Sequence, residues 1–304
     1  MIKNSINQHI IFDGISLTVK REDQLHPEIS GNKYRKLKYN ILEAQKQQKK
    51  TLLTFGGAYS NHIAATAAAG KEYGFNTIGI IRGDELKDKV TENPTLSFAQ
   101  SCGMKFKFIS RSDYRKKDDT LFLENLLRSS SLWGEIERGF YLIPEGGTNV
   151  LAVKGCEEIL TKDDFDFDYI CTSVGTGGTI AGIINSAKAK QKVLGFSVLK
   201  GDFLEKEIQK YTALNNYKLI IDYHFGGYGK IKPELITFIN QFKEKTGIPL
   251  DPVYTGKMLF GIIDMIEKDL IDRNSKILVI HTGGLQGIKG VNAKLRQQKL
   301  PLIE

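Results

Sequence analysis

The 304 residues, 41% hydrophobic and 26% charged, have the composition of a soluble globular protein larger than a typical single domain. The net charge of +8 comes from lysines spread among acidic and apolar residues, which argues against a nucleic-acid partner. Three widely spaced cysteines, Cys102, Cys156 and Cys171, fit neither a disulfide framework nor a zinc site and indicate a cytoplasmic protein without bound metal. No stretch has the length and apolar character of a signal core or a membrane span.

The first half of the chain alternates short apolar runs with longer helical patterns. TLLTFGG predicts a strand, and SNHIAATAAAGKEYG predicts a helix capped by Ser60 or Asn61 and closed near Gly74. NTIGIIRG, KFKFIS and GFYLIPEGG predict three more strands, with PTLSFAQSCG and DTLFLENLLRSS as the helices between them. Four strands separated by helices are typical of a parallel α/β unit.

After Gly147 the same alternation starts again. FDYICTSVGTGGTIAGIINSAKAK predicts a strand, a glycine turn and a helix, and KVLGFSVL, YKLIIDYHFGG and KILVIHTGG predict further strands. AVKGCEEIL, PELITFINQFKEKTG and TGKMLFGIIDMIEKDLI predict helices. We therefore predict two α/β domains with a cleft between them, in which ligands bind at the carboxyl ends of strands.

The stretch SVGTGGTIAGI contains a glycine turn that suits a phosphate group. The turn is formed by Gly175, Thr176, Gly177, Gly178 and Thr179. Glycines let the backbone approach an anion, and the start of the next helix offers unpaired N–H groups and partial positive charge. Because the Walker and dinucleotide spacings are both absent, a single phosphate fits better than a nucleotide. A tight turn without a ligand explains these residues equally well.

Lys33 lies directly after Gly31 and Asn32, where a turn leads into a predicted helix. Most lysines are solvated surface residues, and position alone does not distinguish this one. Joined to a cradle for one phosphate, however, such a lysine indicates pyridoxal 5′-phosphate. That cofactor carries one phosphate and one aldehyde, and it requires a lysine amine.

A polar trio opens the helix in GGAYSNHIAA. Ser60, Asn61 and His62 follow a strand that ends in two glycines. Serine and asparagine are among the best helix-capping residues, so capping alone accounts for the first two. The same side chains and unpaired N–H groups suit a substrate carboxylate, and the two roles are compatible.

Two further stretches place hydroxyl groups beside strand ends and helix starts. In HTGGLQG, Thr282 follows a buried strand, where it would meet a heterocyclic nitrogen or form only a polar turn. In DPVYTGKMLFG, Tyr254 and Thr255 open a helix. Packing is the more common role for a tyrosine at such a position, and catalysis is the alternative.

Five stretches, GNKYRKL, GGAYSNH, SVGTGGT, DPVYTGK and HTGG, occur in an order that resembles pyridoxal-phosphate enzymes of the tryptophan-synthase-β fold, fold type II. From about Leu17 to about Gly287 the closer resemblance is to the family that joins 1-aminocyclopropane-1-carboxylate deaminase and D-cysteine desulfhydrase. It implies two parallel-sheet α/β domains with the active site in the cleft between them. The large domain would comprise residues 1–38 and 146–304, the small domain 39–145, and the protein would be a homodimer.

The resemblance also implies roles for individual residues. Lys33 would be the Schiff-base lysine, and the catalytic residues would be Lys33, Ser60 and Tyr254. The cofactor would be held by Lys33, Lys36, Asn61, Gly175, Thr176, Gly177, Gly178, Thr179 and Thr282. A small amino-acid substrate would contact Ser60, Asn61, His62, Tyr228, Tyr254 and Thr255.

Two positions distinguish the branches of this family. Ring deaminases resemble DPVYEGK and HLGG, whereas this chain has Thr255 and Thr282, as in the desulfhydrase branch. We therefore expect a pyridoxal-phosphate-dependent lyase that converts D-cysteine to pyruvate, ammonia and hydrogen sulfide. The alternatives are deamination of 1-aminocyclopropane-1-carboxylate to 2-oxobutyrate, β-elimination from another D-amino acid, and a non-catalytic cofactor carrier or sensor. A compact amino terminus and Tyr34, where the family often has threonine, leave the substrate open.

Overall fold

A computed structural model describes residues 4–128, 134 and 139–304. The described strands are β1 (Asn7–Phe12), β2 (Ile15–Lys20), β3 (Thr51–Gly57), β4 (Asn76–Arg82), β5 (Lys105–Ile109), β6 (Phe140–Ile143), β7 (Tyr169–Val174), β8 (Lys192–Ser197), β9 (Tyr217–Ile220) and β10 (Ile277–Ile280).

The described α-helices alternate with these strands. They are α1 (Asn32–Lys46), α2 (Asn61–Tyr73), α3 (Pro94–Ser101), α4 (Arg111–Tyr114), α5 (Thr120–Arg128), α6 (Val150–Cys156), α7 (Gly178–Ser186), α8 (Leu204–Gln209), α9 (Pro233–Thr246), α10 (Thr255–Glu267) and α11 (Gly287–Gln297). The end of the predicted helix DTLFLENLLRSS, residues 129 and 130, lies outside the described residues.

The strands form two sheets, and the predicted α/β class is confirmed. One sheet has the order β5-β4-β3-β6 and the other β1-β2-β10-β7-β8-β9. Among the described strands, all pairings are parallel except that of β1 with β2. The four strands of the smaller sheet lie within the predicted small domain, and the proposed boundary after residue 38 falls inside α1.

The antiparallel hairpin of β1 and β2 was not predicted. Asp13 and Gly14 join its strands, with φ angles of 49° and 74°. Asp-Gly is a preferred pair for the tight turn that matches the twist of two antiparallel strands. The hairpin extends the larger sheet by placing β2 beside β10 in parallel register.

Buried aliphatic and aromatic side chains cover both faces of the larger sheet. Residues of α9 and α10 pack on one face, together with the hairpin residues Phe12 and Val19. Residues of α7 and α8, among them Ile180 and Ile208, pack on the other face. Sheets covered on both sides have continuous apolar strands, as ILVI in β10 shows. Among the described residues, no helix combines the length and apolar character needed to cross a membrane.

Candidate active site

A cavity lies where strands of both sheets end. Concave pockets of this kind are the usual place for small-molecule sites. The loop after β3 contributes one wall, and the segments after β7 and β10 contribute the floor. The residues that line the cavity, wall and floor together, are Asn32, Lys33, Lys36, Ser60, Asn61, His62, Gly146, Ser173, Val174, Gly175, Thr176, Gly177, Thr179, Ile180, Tyr228, Tyr254, Thr282 and Gly283.

Lys33 reaches this cavity because Gly31 lets α1 begin against the end of β10. Gly31 has φ 62°, and a Cβ atom there would lie 1.9 Å from the carbonyl oxygen of Thr282. The N–H of Asn32 donates to that same oxygen over 3.2 Å. Burial lowers the pKa of Lys33 to about 8, so a large fraction of the amine is neutral in mildly alkaline solution.

Asn32 connects the lysine to the glycine turn, a role that the sequence did not reveal. Its side-chain nitrogen donates to Thr179 Oγ1 over 2.8 Å. Its side-chain oxygen accepts from Lys33 Nζ over 3.2 Å. One amide therefore joins the two features from which the cofactor was inferred.

The glycine turn after β7 has the geometry of an anion cradle. Gly177 has φ 82°, and α7 begins after it without a side-chain cap, which leaves N–H groups of its first turn for a ligand. A Cβ atom on Gly178 would lie 2.8 Å from Thr148 Cγ2 and 3.3 Å from Lys36 Nζ. The turn thus requires glycine where the backbone approaches its polar neighbours.

Lys36 supplies the positive charge of this cradle. Its amine donates to Gly146 O, Thr148 Oγ1 and Thr176 Oγ1 over 3.0, 2.8 and 3.3 Å. Burial, together with the nearby Lys33, lowers its pKa to about 7. An anion bound in the cradle would oppose both effects and favour the ammonium form. Thr148 completes the cradle and was not identified from the sequence.

The start of α2, directly after the loop that follows β3, forms part of the cavity lining. Ser60 Oγ accepts from the backbone N–H groups of His62 and Ile63 over 3.2 and 3.4 Å, so the predicted cap is confirmed. The Ser60 hydroxyl hydrogen points to neither of these donors and can serve a ligand. Asn61 also lines the cavity, and a Cβ atom on Gly284 would lie 2.7 Å from Asn61 Nδ2.

His62 is held as a neutral ring with a defined tautomer. Thr54 Oγ1 donates its only hydrogen to Ile143 O over 2.8 Å, so it accepts from His62 Nε2 at 2.7 Å. Burial and the charges of Lys33 and Lys36 hold the pKa of His62 well below its usual value. Its Nδ1 is therefore an acceptor, and none of the residues that the structure describes hydrogen-bonds to it.

Two hydroxyl groups meet on the floor of the cavity. Thr282 Oγ1 lies 3.2 Å from Ser173 Oγ, and both side chains are buried at neighbouring strand ends. A hydroxyl can donate to or accept from a heterocyclic nitrogen without carrying charge. Ser173, the residue before Val174 in SVGTGGT, is a second floor residue that the sequence did not reveal.

Tyr254 and Tyr228 both line the cavity, with their ring centroids 6.0 Å apart in an edge-to-face arrangement. Burial beside Tyr228 raises the pKa of Tyr254 well above its usual value, so its phenol stays protonated. Asp251 fixes the backbone here, because its carboxylate accepts from the N–H groups of Val253, Tyr254 and Thr255. The Tyr254 phenol is therefore a neutral hydrogen-bond donor on a fixed stretch of backbone.

Thr255 does not line the cavity, in contrast to the predicted substrate contact. Its hydroxyl donates to Asp251 Oδ1 over 2.8 Å and accepts from the Asp251 N–H over 2.9 Å. The side chain is completely buried within the first turn of α10. Local capping hydrogen bonds therefore account for its orientation.

The residues present fit pyridoxal phosphate. The cradle offers backbone N–H groups, hydroxyl groups and one amine to a single phosphate. Lys33, joined to the cradle through Asn32, is available for an aldehyde. The hydroxyl pair of Ser173 and Thr282 suits a ring nitrogen, and the orphaned His62 Nδ1 offers a further acceptor.

Comparisons with known proteins agree with this fit. A family model described as pyridoxal-phosphate dependent enzyme matches residues 12–283. A bifunctional D-cysteine desulfhydrase/1-aminocyclopropane-1-carboxylate deaminase of Arabidopsis thaliana is 35% identical over 301 residues, covering 91% of this chain and 74% of the relative. A D-cysteine desulfhydrase of Klebsiella pneumoniae is 28% identical over 297 residues, covering 89% and 87%. A solved structure of an ACC deaminase homologue superimposes with a TM-score of 0.79 at 28% identity, covering 97% and 94%.

Proposed function

The chain belongs to the pyridoxal-phosphate-dependent enzymes as a lyase of small amino acids, and from that membership we propose that its substrate is D-cysteine. The reaction is β-elimination, in which D-cysteine and one water yield pyruvate, ammonia and hydrogen sulfide. The observation that carries this choice is the chemistry of the cavity wall. Among the described residues that form it, none is a carboxylate.

The lack of a carboxylate among the described residues of this wall supports β-elimination as the type of reaction. Bound pyridoxal phosphate supplies an electron sink that acidifies the hydrogen on the carbon beside the substrate amine. Ser173 and Thr282 offer only neutral hydroxyl groups to the ring nitrogen, so they would leave it largely unprotonated. A weaker sink favours prompt loss of a good leaving group such as thiolate. Opening an unactivated ring requires additional acid–base groups.

Lys33 acts as the base in this scheme. Its amine, when neutral, accepts the proton from the substrate α-carbon, and its lowered pKa of about 8 makes that form accessible. The C–S bond then breaks, and its electron pair leaves with the thiolate. The released 2-aminoacrylate takes up water and gives pyruvate and ammonia.

The remaining wall residues bind and orient the substrate. Ser60 and the start of α2 hold its carboxylate, because the Ser60 hydroxyl hydrogen can be donated and the helix terminus carries partial positive charge. Asn61 lies on the cofactor side and His62 Nδ1 accepts a hydrogen bond. The Tyr254 phenol donates a proton or hydrogen bond near the leaving group, while Tyr228, a partly exposed residue of the cavity lining, packs edge-to-face against it.

Parallel assays of product formation test the substrate. The loaded enzyme would be incubated with D-cysteine, L-cysteine, 1-aminocyclopropane-1-carboxylate and D-serine, with sulfide, pyruvate and 2-oxobutyrate measured separately. We expect equal amounts of sulfide and pyruvate from D-cysteine, with kcat/KM at least about 100-fold above that for the ring substrate. Faster formation of 2-oxobutyrate would establish the ring deaminase instead, and preference for D-serine would indicate another β-lyase.

Homodimerisation in the cytoplasm completes the proposal. The three cysteines are unpaired and buried, which suits a reducing compartment. Light scattering coupled to gel filtration would distinguish a dimer from a chain of 34.1 kDa. A monomeric mass over the working range of concentration would contradict the dimer.

A further inference from the structure

Lys257 is buried at a position that disfavours its positive charge. Its side chain is 1% exposed, and it lies in the first turn of α10, where the helix dipole disfavours a cation. Burial lowers its pKa to about 8, against the opposing effect of Asp251. A buried amine at such a position requires hydrogen-bond acceptors to replace the water that it has lost.

The amine of Lys257 binds the loop that carries Tyr228. It donates to the carbonyl oxygens of His224 and Gly227, each over 2.9 Å. Each of these carbonyls also opens a tight turn, because Gly227 N donates to His224 O over 3.0 Å and Lys230 N to Gly227 O over 3.1 Å. Tyr228 is the second residue of the second turn. One amine therefore holds together two consecutive turns around the tyrosine.

The backbone of this loop needs such support. Phe225, Gly226, Gly227 and Gly229 have φ angles of 54°, 99°, 118° and 66°. Glycines lose much conformational freedom when they are fixed, so ordering this loop has a high cost in conformational entropy. Tyr228 is itself 47% exposed, so packing provides only part of the restraint on its ring.

Lys257 belongs to a single face of α10 that holds the loop. Phe260 packs edge-to-face against Phe225 at 5.0 Å, and Asp264 accepts from the Tyr223 hydroxyl over 2.6 Å. Spacings of three and four residues place Lys257, Phe260 and Asp264 on one side of a helix. The same helix begins directly after Tyr254. It therefore holds both cavity tyrosines, Tyr254 at its own start and Tyr228 through contacts with the loop.

We propose that Lys257 is a positioning residue that fixes Tyr228 against Tyr254 in the cavity lining and thereby sets the affinity for the substrate. The inference deepens the proposed function and rests on Tyr228 facing the substrate. Lys257 itself does not line the cavity, so it acts through the loop rather than by contact with a ligand. The two hydrogen bonds from its amine to backbone carbonyls affect substrate affinity only through the position of Tyr228.

Hydrogen exchange of the loop tests the positioning independently of the substrate. In the full-length protein loaded with cofactor, Lys257→Met should raise amide exchange over residues 224–230 about tenfold, with the rest of α10 unchanged. Lys257→Arg, which keeps the charge and donors, should restore most of the protection. Lys20→Met is the matched control, because Lys20 of β2 is equally buried but pairs with Asp164, away from the loop. Unchanged loop exchange, or a rise throughout the chain, would overturn the proposal.

Kinetics test the link to the substrate. Lys257→Met should raise KM about tenfold and change kcat less than about threefold, for whichever amino acid the enzyme turns over. In a Tyr228→Ala background the same change should add nothing, because both act through one side chain. Additive effects would overturn the role, and loss of D-cysteine activity alone would refute only the substrate. If Lys257→Met does not fold, Lys257→Gln replaces it and faces the same criteria.

Discussion

The amine of Lys33 donates to the side-chain oxygen of Asn32 over 3.2 Å. Since the other end of that amide is bound to Thr179, its orientation is fixed. The lysine is therefore directed by a neutral acceptor that does not stabilise its ammonium form as a carboxylate would. This relationship accounts for a lysine that is both well placed and easily deprotonated.

Asn32→Asp should move the pH dependence of the enzyme. A carboxylate beside Lys33 raises the pKa of the amine from about 8, so the rising limb of kcat, which reports the substrate complex, should shift alkaline by about one pH unit. Asn32→Ala should lower activity without an alkaline shift. Coincident pH profiles for the two variants would contradict the directing role of the amide.

Lys33→Met should stabilise the cofactor-free protein. The pKa of Lys33 is lowered from 10.5 to about 8 on folding, so at pH 7 the unfolded chain holds this proton more tightly than the folded one. Removing the amine should raise the free energy of unfolding by about 1 to 2 kcal/mol at pH 7. The gain should shrink as pH rises from 8 to 10.5, where the native amine is already neutral.

Urea denaturation at several pH values measures this effect. Lys206→Met, at an exposed position of α8, serves as the control and should change stability little. A destabilised Lys33→Met protein, or a gain that grows with pH, would be inconsistent with a buried amine that resists its charge.

Gly31→Ala should disrupt the junction of α1 with β10. The new methyl group would lie 1.9 Å from Thr282 O at a residue with φ 62°, so we expect a loss of about 3 kcal/mol or more and weak cofactor binding. Gly74→Ala is the control, since Gly74 has φ 74° but no atom within 4 Å of the new methyl. It should cost only about 1 kcal/mol. Equal losses, measured by denaturation, would argue against the steric cause.

Tyr254→Phe should slow turnover while leaving the cofactor in place. The phenol is a protonated donor because burial and Tyr228 raise its pKa, so its loss should reduce kcat about 100-fold. The visible absorbance of bound cofactor should be retained. Tyr73→Phe, at a half-exposed position on α2, should have wild-type kinetics. A wild-type kcat for Tyr254→Phe would remove this residue from the chemistry.

Local sequence patterns were sufficient for much of the fold and the cavity. The strand Thr51–Gly57 and the cap at Ser60 follow from apolar runs, glycines and capping side chains that act within a few residues. The parallel pairing of β2 with β10 joins distant parts of the chain, and no local pattern specifies it.

The directions in which individual side chains point could not be predicted from the sequence. Tyr254 and Thr255 are adjacent, yet the Thr255 hydroxyl is hydrogen-bonded to Asp251 whereas the Tyr254 side chain lines the cavity. Asn32 was recognised only as part of a turn, because its partner Thr179 is remote in sequence. Tertiary hydrogen bonds decide such orientations, and they become visible only when the elements are assembled.

The site of covalent cofactor attachment tests the central claim most directly. The protein would be loaded with pyridoxal phosphate, reduced with borohydride, digested and mapped by mass spectrometry. Our account predicts a pyridoxyl adduct on Lys33, and none on the neighbouring Lys36. An adduct on Lys36, or a protein that binds no cofactor while correctly folded, would contradict it.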